Sequence, residues 1–209
     1  MADVETSSQY RHGMLPEFTA EEASRQEFVK SLKLHLAHKV APGNKIAYER
    51  NLLPRFEKEH GRAPKNRHEV RKEMNKEPTY RMWSSLLRTS QEMMWNSVQI
   101  SVERQLDQLV QTAKQADGTN AGGTLSLNPD LKIPAYHTAV DIHCQPGAYH
   151  TEVTADDVAA GAVYDRAVYV YAMGRMGPFN NDIGASLAEW LKQEHPDLKP
   201  KRILDLGCS

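Results

Sequence analysis

Along the stretch TAEEASRQEFVKSLKLHLAHKV, the apolar residues Phe28, Leu32, Leu36 and Val40 return at every fourth position. That period predicts a helix with one buried stripe. Thr19 and Glu22 stand at capping-box spacing at its start, and Pro42-Gly43 is expected to end it. A second helix, from about Lys45 to His60, should bury Ile46, Leu53 and Phe56 before Gly61 to Pro64 breaks it. Asn66, with Glu69 three residues on, opens a short third helix. The longest runs from Thr79 to Ala116, where Trp83, Leu87, Met94, Val98, Val102, Leu106 and Leu109 keep helical spacing without Pro or Gly. At 1.5 Å per residue it would be about 55 Å long.

The texture then changes. Asp117 to Gly123, DGTNAGG, reads as a flexible linker. Leu125 to Val153 has β-branched residues, prolines and no helical period, so it reads as short extended segments and turns, a short irregular β portion. Thr154 with Asp157 should cap a helix from Ala155 to about Arg175, ending at Gly177-Pro178. Asn181 should cap a last amphipathic helix carrying Ile183, Leu187 and Leu191. The loop HPDLKPKR leads into RILDLGCS, whose apolar Ile203, Leu204 and Leu206 suit a strand covered on both faces. The expected fold is mainly α, organised as a flexible amino terminus (1–18), a helical domain (19–116), a linker (117–124), a β-turn and helical region (125–200) and a terminal strand (201–209).

Composition narrows the class only modestly. The 209 residues are 40% hydrophobic and 25% charged, with a formal net charge of −1, so no global pull toward nucleic acid or an anionic membrane is expected. No apolar run approaches the ~20 residues that span a bilayer. The opening residues lack the basic-then-apolar layout of a secretion signal. Cys144 and Cys208 are the two cysteines, too few for a disulfide framework or a four-cysteine zinc site. The expected setting is cytoplasmic, with no membrane partner.

ILDLGCS carries the clearest chemistry. Gly207 follows the apolar run where the backbone must turn tightly beside a ligand, and Asp205 stands at the strand's carboxyl end, where open α/β sheets bind ligands. The run resembles the first motif of class I S-adenosylmethionine-dependent methyltransferases: an aliphatic pair, Asp or Glu, an aliphatic residue, Gly, a small residue, then Gly-x-Gly. The resemblance implies that Asp205 orients the methionine part of the cofactor. It implies too that Gly207, Cys208 and Ser209 form the loop beneath it, Ser209 replacing the more usual second glycine. By layout it reaches back to about Val153, because the family places helices ahead of this strand as a wall or lid of the cofactor site. It further implies an amino-terminal portion of a larger enzyme, with residues 201–209 the first strand of a truncated Rossmann-like domain. S-adenosylmethionine would then be the cofactor of the full-length parent, and this chain alone would be inactive, since the ribose-binding acid and acceptor loops fall outside it.

Other clusters have plainer accounts beside the functional ones. YHTAVDIHCQPGAYHTE gathers His137, Asp141, His143, Cys144, His150 and Glu152. Asp141 and His143 would share one face of a strand, and a histidine with a carboxylate suits a metal or a general base. No standard zinc spacing fits, so no metal is assigned, and a hydrogen-bonded structural pair is the plainer account. If the parent is a methyltransferase, the stretch could line the acceptor pocket, with His143 and His150 as catalytic candidates. Tyr164 and Tyr171 lie seven residues apart on one helix face, an arrangement more usual for a core edge. Arg175 near the helix end could meet the cofactor carboxylate, which makes Tyr171 and Arg175 the cofactor-side candidates. Arg55 to Arg81 holds nine Lys/Arg against five Glu; interleaved acids favour a solvated face over a phosphate-binding patch. The expected partner is a methyl acceptor, a small molecule rather than nucleic acid. The alternatives are a non-enzymatic interaction module forming a homodimer through the Thr79–Ala116 helix and, third, a nucleic-acid contact through Arg55–Arg81.

Overall fold

Thr19 begins the first helix with the capping box that its spacing predicts: its hydroxyl accepts from the Glu22 N–H at 3.2 Å, and the Glu22 carboxylate accepts from the Thr19 N–H at 2.9 Å. The computed structural model describes residues 8–116, 123–124, 126–136, 143–147, 154 and 158–206. Its helices are α1 (Ala20–His35), α2 (Pro42–Ala47), α3 (Leu53–His60), α4 (Arg67–Met74), α5 (Pro78–Arg104), α6 (Leu106–Ala116), α7 (Ala159–Tyr171) and α8 (Asp182–Glu194). The chain is mainly α. Among the described residues there is no strand, so the β portion expected over 125–153 is not formed at 126–136 or 143–147. The rest of that stretch, most of the linker and the expected Asp157 cap lie outside the described residues.

Pro42 does not end the first helix. Leu36–Val40 and Tyr48–Leu52 are π-helical turns placed just ahead of α2 and α3. The Ala41 N–H donates to the Leu36 carbonyl at 2.8 Å, and the Leu53 N–H donates to the Tyr48 carbonyl, each reaching five residues back. Proline in a regular helix loses one hydrogen bond and clashes with the carbonyl four residues earlier. Pro42 and Pro54 each follow one wide turn that accommodates the ring. Gly61, at φ 66°, closes α3 as a left-handed cap.

The core lies where α1, α5 and α7 pack pairwise. Val29, Met94, Trp95, Val98, Val102, Val163 and Val170 fill it. Small residues on the facing helices, Ser97 and Ser101 on α5 and Ala162 and Ala167 on α7, are buried there too and allow close approach. α7, assigned from sequence to a separate region, therefore shares its core with α1 and α5.

α1 turns an unexpected face inward. Phe28 is 58% exposed, and the buried positions of α1 are Glu22, Gln26, Val29, Lys30 and Lys33; of the expected stripe, Leu36, which opens the following π turn, is buried. Gln26 donates to the Ser97 carbonyl at 3.3 Å and accepts from Arg166 Nε at 2.7 Å, so one amide joins all three helices. Lys30 and Lys33 lie over the rings of Tyr169 and Tyr171, 5.5 and 4.7 Å from their centroids. Long stems bury methylenes while their heads meet acceptors or π faces, and a hydropathy period does not register that. Ile46 and Leu87, expected inside, are likewise exposed, while Phe56 joins Leu52, Ala47 and Met74 in a smaller cluster.

The expected Thr79–Ala116 helix divides at Gln105, whose backbone leaves helical geometry at φ −118° and ψ 14°. Its side chain donates to the Glu17 carbonyl at 2.7 Å and accepts from the Glu17 N–H at 3.0 Å. Residues 8–18, expected as a flexible arm, are pinned: Gln9 donates to Asp165 at 2.7 Å and accepts from Arg166 at 2.9 Å. α7 stops at Tyr171, short of the expected Arg175, because Met173 and Gly174 take φ of 59° and 71°. Asn181 precedes α8, but its side chain caps nothing. Residues 202–206 have no regular structure. The expected terminal strand is thus not formed among them, since a strand exists only through a partner's ladder of hydrogen bonds.

Candidate functional site

Two side chains one turn apart on α5 reach the same backbone group. Gln91 Nε2 donates to the His143 carbonyl at 3.2 Å, and Trp95 Nε1 donates to it as well. These bonds hold the short segment 143–147 against α5, with Cys144 in the left-handed region at φ 64°. Between this segment, α5 and α7 lies a cavity of about 160 Å³, walled by Met94, Ala167 and Val168 and by Tyr164 and Tyr171.

Lys33 stands behind two of these walls. Its ammonium donates to Gln91 Oε1 at 3.2 Å and covers the Tyr171 ring. The residue is only 6% exposed. Burial holds its pKa below the ordinary lysine value, and the nearby Cys144 thiol opposes that shift. The arrangement offers a small apolar chamber with an amide, a histidine-bearing segment and a buried amine beside it.

His143 and Tyr171, two of the sequence candidates, are brought to one cavity, but through unequal parts: His143 is anchored by its carbonyl, and Tyr171 offers a ring. Arg175 lies past the end of α7, exposed, with Nη2 donating to His38 Nε2 at 3.1 Å. Asp205 is exposed on the irregular segment 202–206. His150, Gly207, Cys208 and Ser209 lie outside the described residues. The described residues therefore present no assembled cradle for S-adenosylmethionine. Among them, no group of three or more His, Cys, Asp or Glu could hold a metal ion, and no helix is long and apolar enough to cross a membrane.

Lys33 and Gln91 escaped the sequence reading. A signal was present, because Lys33 falls four residues after Val29 and three before Leu36, in register with two core positions. Elsewhere, a groove of about 420 Å³ between α1 and α5 presents Phe28, Met93 and Ile100, rimmed by the Glu21–Arg25 ion pair. No protein-family model, curated protein or solved structure matches the chain.

Proposed function

We propose that the chain is the amino-terminal part of a class I S-adenosylmethionine-dependent methyltransferase whose full-length form methylates a small molecule. The observation that carries this reading is the run Ile203-Leu204-Asp205-Leu206. Its three apolar side chains are 83, 80 and 81% exposed, although burying each is worth about 2 kcal/mol. Just ahead, α8 presents Ile183, Leu187 and Trp190, all exposed and spaced for one helix face. A helix and an apolar segment, both uncovered, suit the first layer of a sheet that further chain completes.

In this reading Asp205 orients the amino-acid part of the cofactor, and Gly207, Cys208 and Ser209 let the backbone pass close to it. Tyr171 and Arg175 serve the cofactor side, and His143 and His150 the acceptor side. The cofactor supplies an electrophilic methyl group; the chain's part is to position donor and acceptor and to take up a proton where the acceptor carries one. Residues 1–209 alone are expected to be inactive. The test is calorimetric titration of S-adenosylmethionine into the chain extended past Ser209, with Asp205→Ala weakening binding at least about tenfold. Absence of binding by the extended protein overturns the reading.

A second reading is favoured by Met82, Leu86 and Leu87, all exposed at the start of α5: a helical interaction module that pairs with its own copy. Light scattering should then give a dimer that Leu86→Glu converts to monomer. A wild-type monomer at every concentration removes this alternative.

A further inference from the structure

Beyond the methyl-transfer reading, and independent of it, lies the basic stretch around α4, where the fold separates paired from unpaired charges. Arg62 grips Glu69 with two bonds of 2.8 and 3.0 Å, and this pairing, helped by the Lys65 N–H, holds the Glu69 carboxyl down to about 2. Lys76 grips Glu73 at 2.7 and 2.8 Å. Arg55 binds Glu77 at 2.8 Å, and Asn51 takes its other oxygen at 3.1 Å. Three acids of the stretch are thereby occupied.

Arg67, His68 and Arg71 of α4 are exposed and, among the described residues, without a carboxylate partner. Arg67 and Arg71 are one turn apart and share a helix face. They border a concavity of about 680 Å³ with His68, floored by Val70, Met74 and Tyr80. The Tyr80 ring is braced by Trp83, with centroids 5.6 Å apart and planes tilted by 42°. The size is that of a small-molecule pocket. Its chemistry is also specific: forked guanidinium donors match phosphate oxygens, and a braced aromatic ring beside them suits a flat heterocycle.

We propose that this concavity binds a nucleotide, Arg67 and Arg71 holding the phosphate and Tyr80 the base. The same chemistry could be presented by a free mononucleotide or by a single strand. The experiment is titration calorimetry of the intact protein with adenosine monophosphate, inorganic phosphate and a short oligothymidylate, at low and moderate salt. Adenosine monophosphate should bind more tightly than phosphate. Arg67→Ala and Arg71→Ala should each weaken binding about tenfold, and Lys114→Ala, an exposed cation on α6, should leave it unchanged. Circular dichroism of each variant confirms that α4 remains folded. Tighter binding of the oligothymidylate with a steep salt dependence assigns the site to a strand; no gain over the mononucleotide assigns it to the free nucleotide. Equal binding of phosphate and mononucleotide, binding unaffected by the two arginine substitutions, or no binding of any probe overturns the proposal.

Discussion

α7 and α8 are each 13 residues long, follow one another in the chain, and meet opposite fates. α7 buries seven of its residues, from Ala159 to Val170; α8 buries none. Amphipathicity does not account for the difference, because α8 has the cleaner apolar stripe. α7 instead combines small residues that admit α5 closely with Arg166, whose guanidinium reaches Gln26 and Gln9 and stacks on Phe18 and Tyr169 at 4.5 and 4.7 Å. A periodic stripe states that a helix needs a cover. Shape and matched polar groups decide whether the rest of the chain supplies one.

The largest test of this contrast is Trp95→Ala. Trp95 is 3% exposed in the α5–α7 core and also anchors the His143 carbonyl, so its loss should cost about 3–5 kcal/mol in urea unfolding. A cost below about 1 kcal/mol would show that α7 is held by something other than this core. Arg166→Met keeps the stem but leaves the Gln9 and Gln26 carbonyl oxygens without their donor. We expect a loss of about 2 kcal/mol, and a more stable variant would mean that α7 docks by apolar packing alone.

Glu22→Gln removes one half of the ion pair with Arg104, bonded at 2.7 and 2.9 Å. The cost should be near 1 kcal/mol, kept modest because Arg104 is partly in water. That hydrogen-bonded pair, aided by the Thr19 N–H, lowers the Glu22 carboxyl from 4.5 to about 2. Its stabilisation is therefore present above pH 4.5 and is lost as pH falls from there toward 2. Acid titration of stability should be shallower in the Gln variant; identical curves would remove Glu22 from the account. The smallest effect belongs to α8: Leu187→Ser should move stability by less than about 0.5 kcal/mol. A cost comparable to that of Trp95→Ala would mean that α8 is docked, and the contrast would collapse.

Local signals were legible at three helix ends. The capping box at Thr19, the Asn66 cap whose Oδ1 accepts from the N–H groups of His68 and Glu69, and the left-handed Gly61 all stand where spacing and residue type put them. The inward face of α1 was not legible, since it is built from Gln26, Lys30 and Lys33, whose partners lie on other helices. The continuation of the helix through Pro42 was hidden as well, because a π turn depends on how the carbonyls before the proline are arranged. Of the candidate site, the sequence marked His143 and Tyr171 but not Lys33 or Gln91, which matter only once α1 and α5 lie side by side.

By itself, then, the sequence determined a mainly helical chain, the caps at Thr19 and Asn66, and the break at Gly61. Those features follow from backbone sterics and hydrogen bonds between near neighbours. Tertiary structure alone decided which face of α1 is buried, that α7 and not α8 joins the core, and which arginines around α4 stay unpaired. Each of these depends on groups far apart in the chain, whose meeting no local pattern encodes.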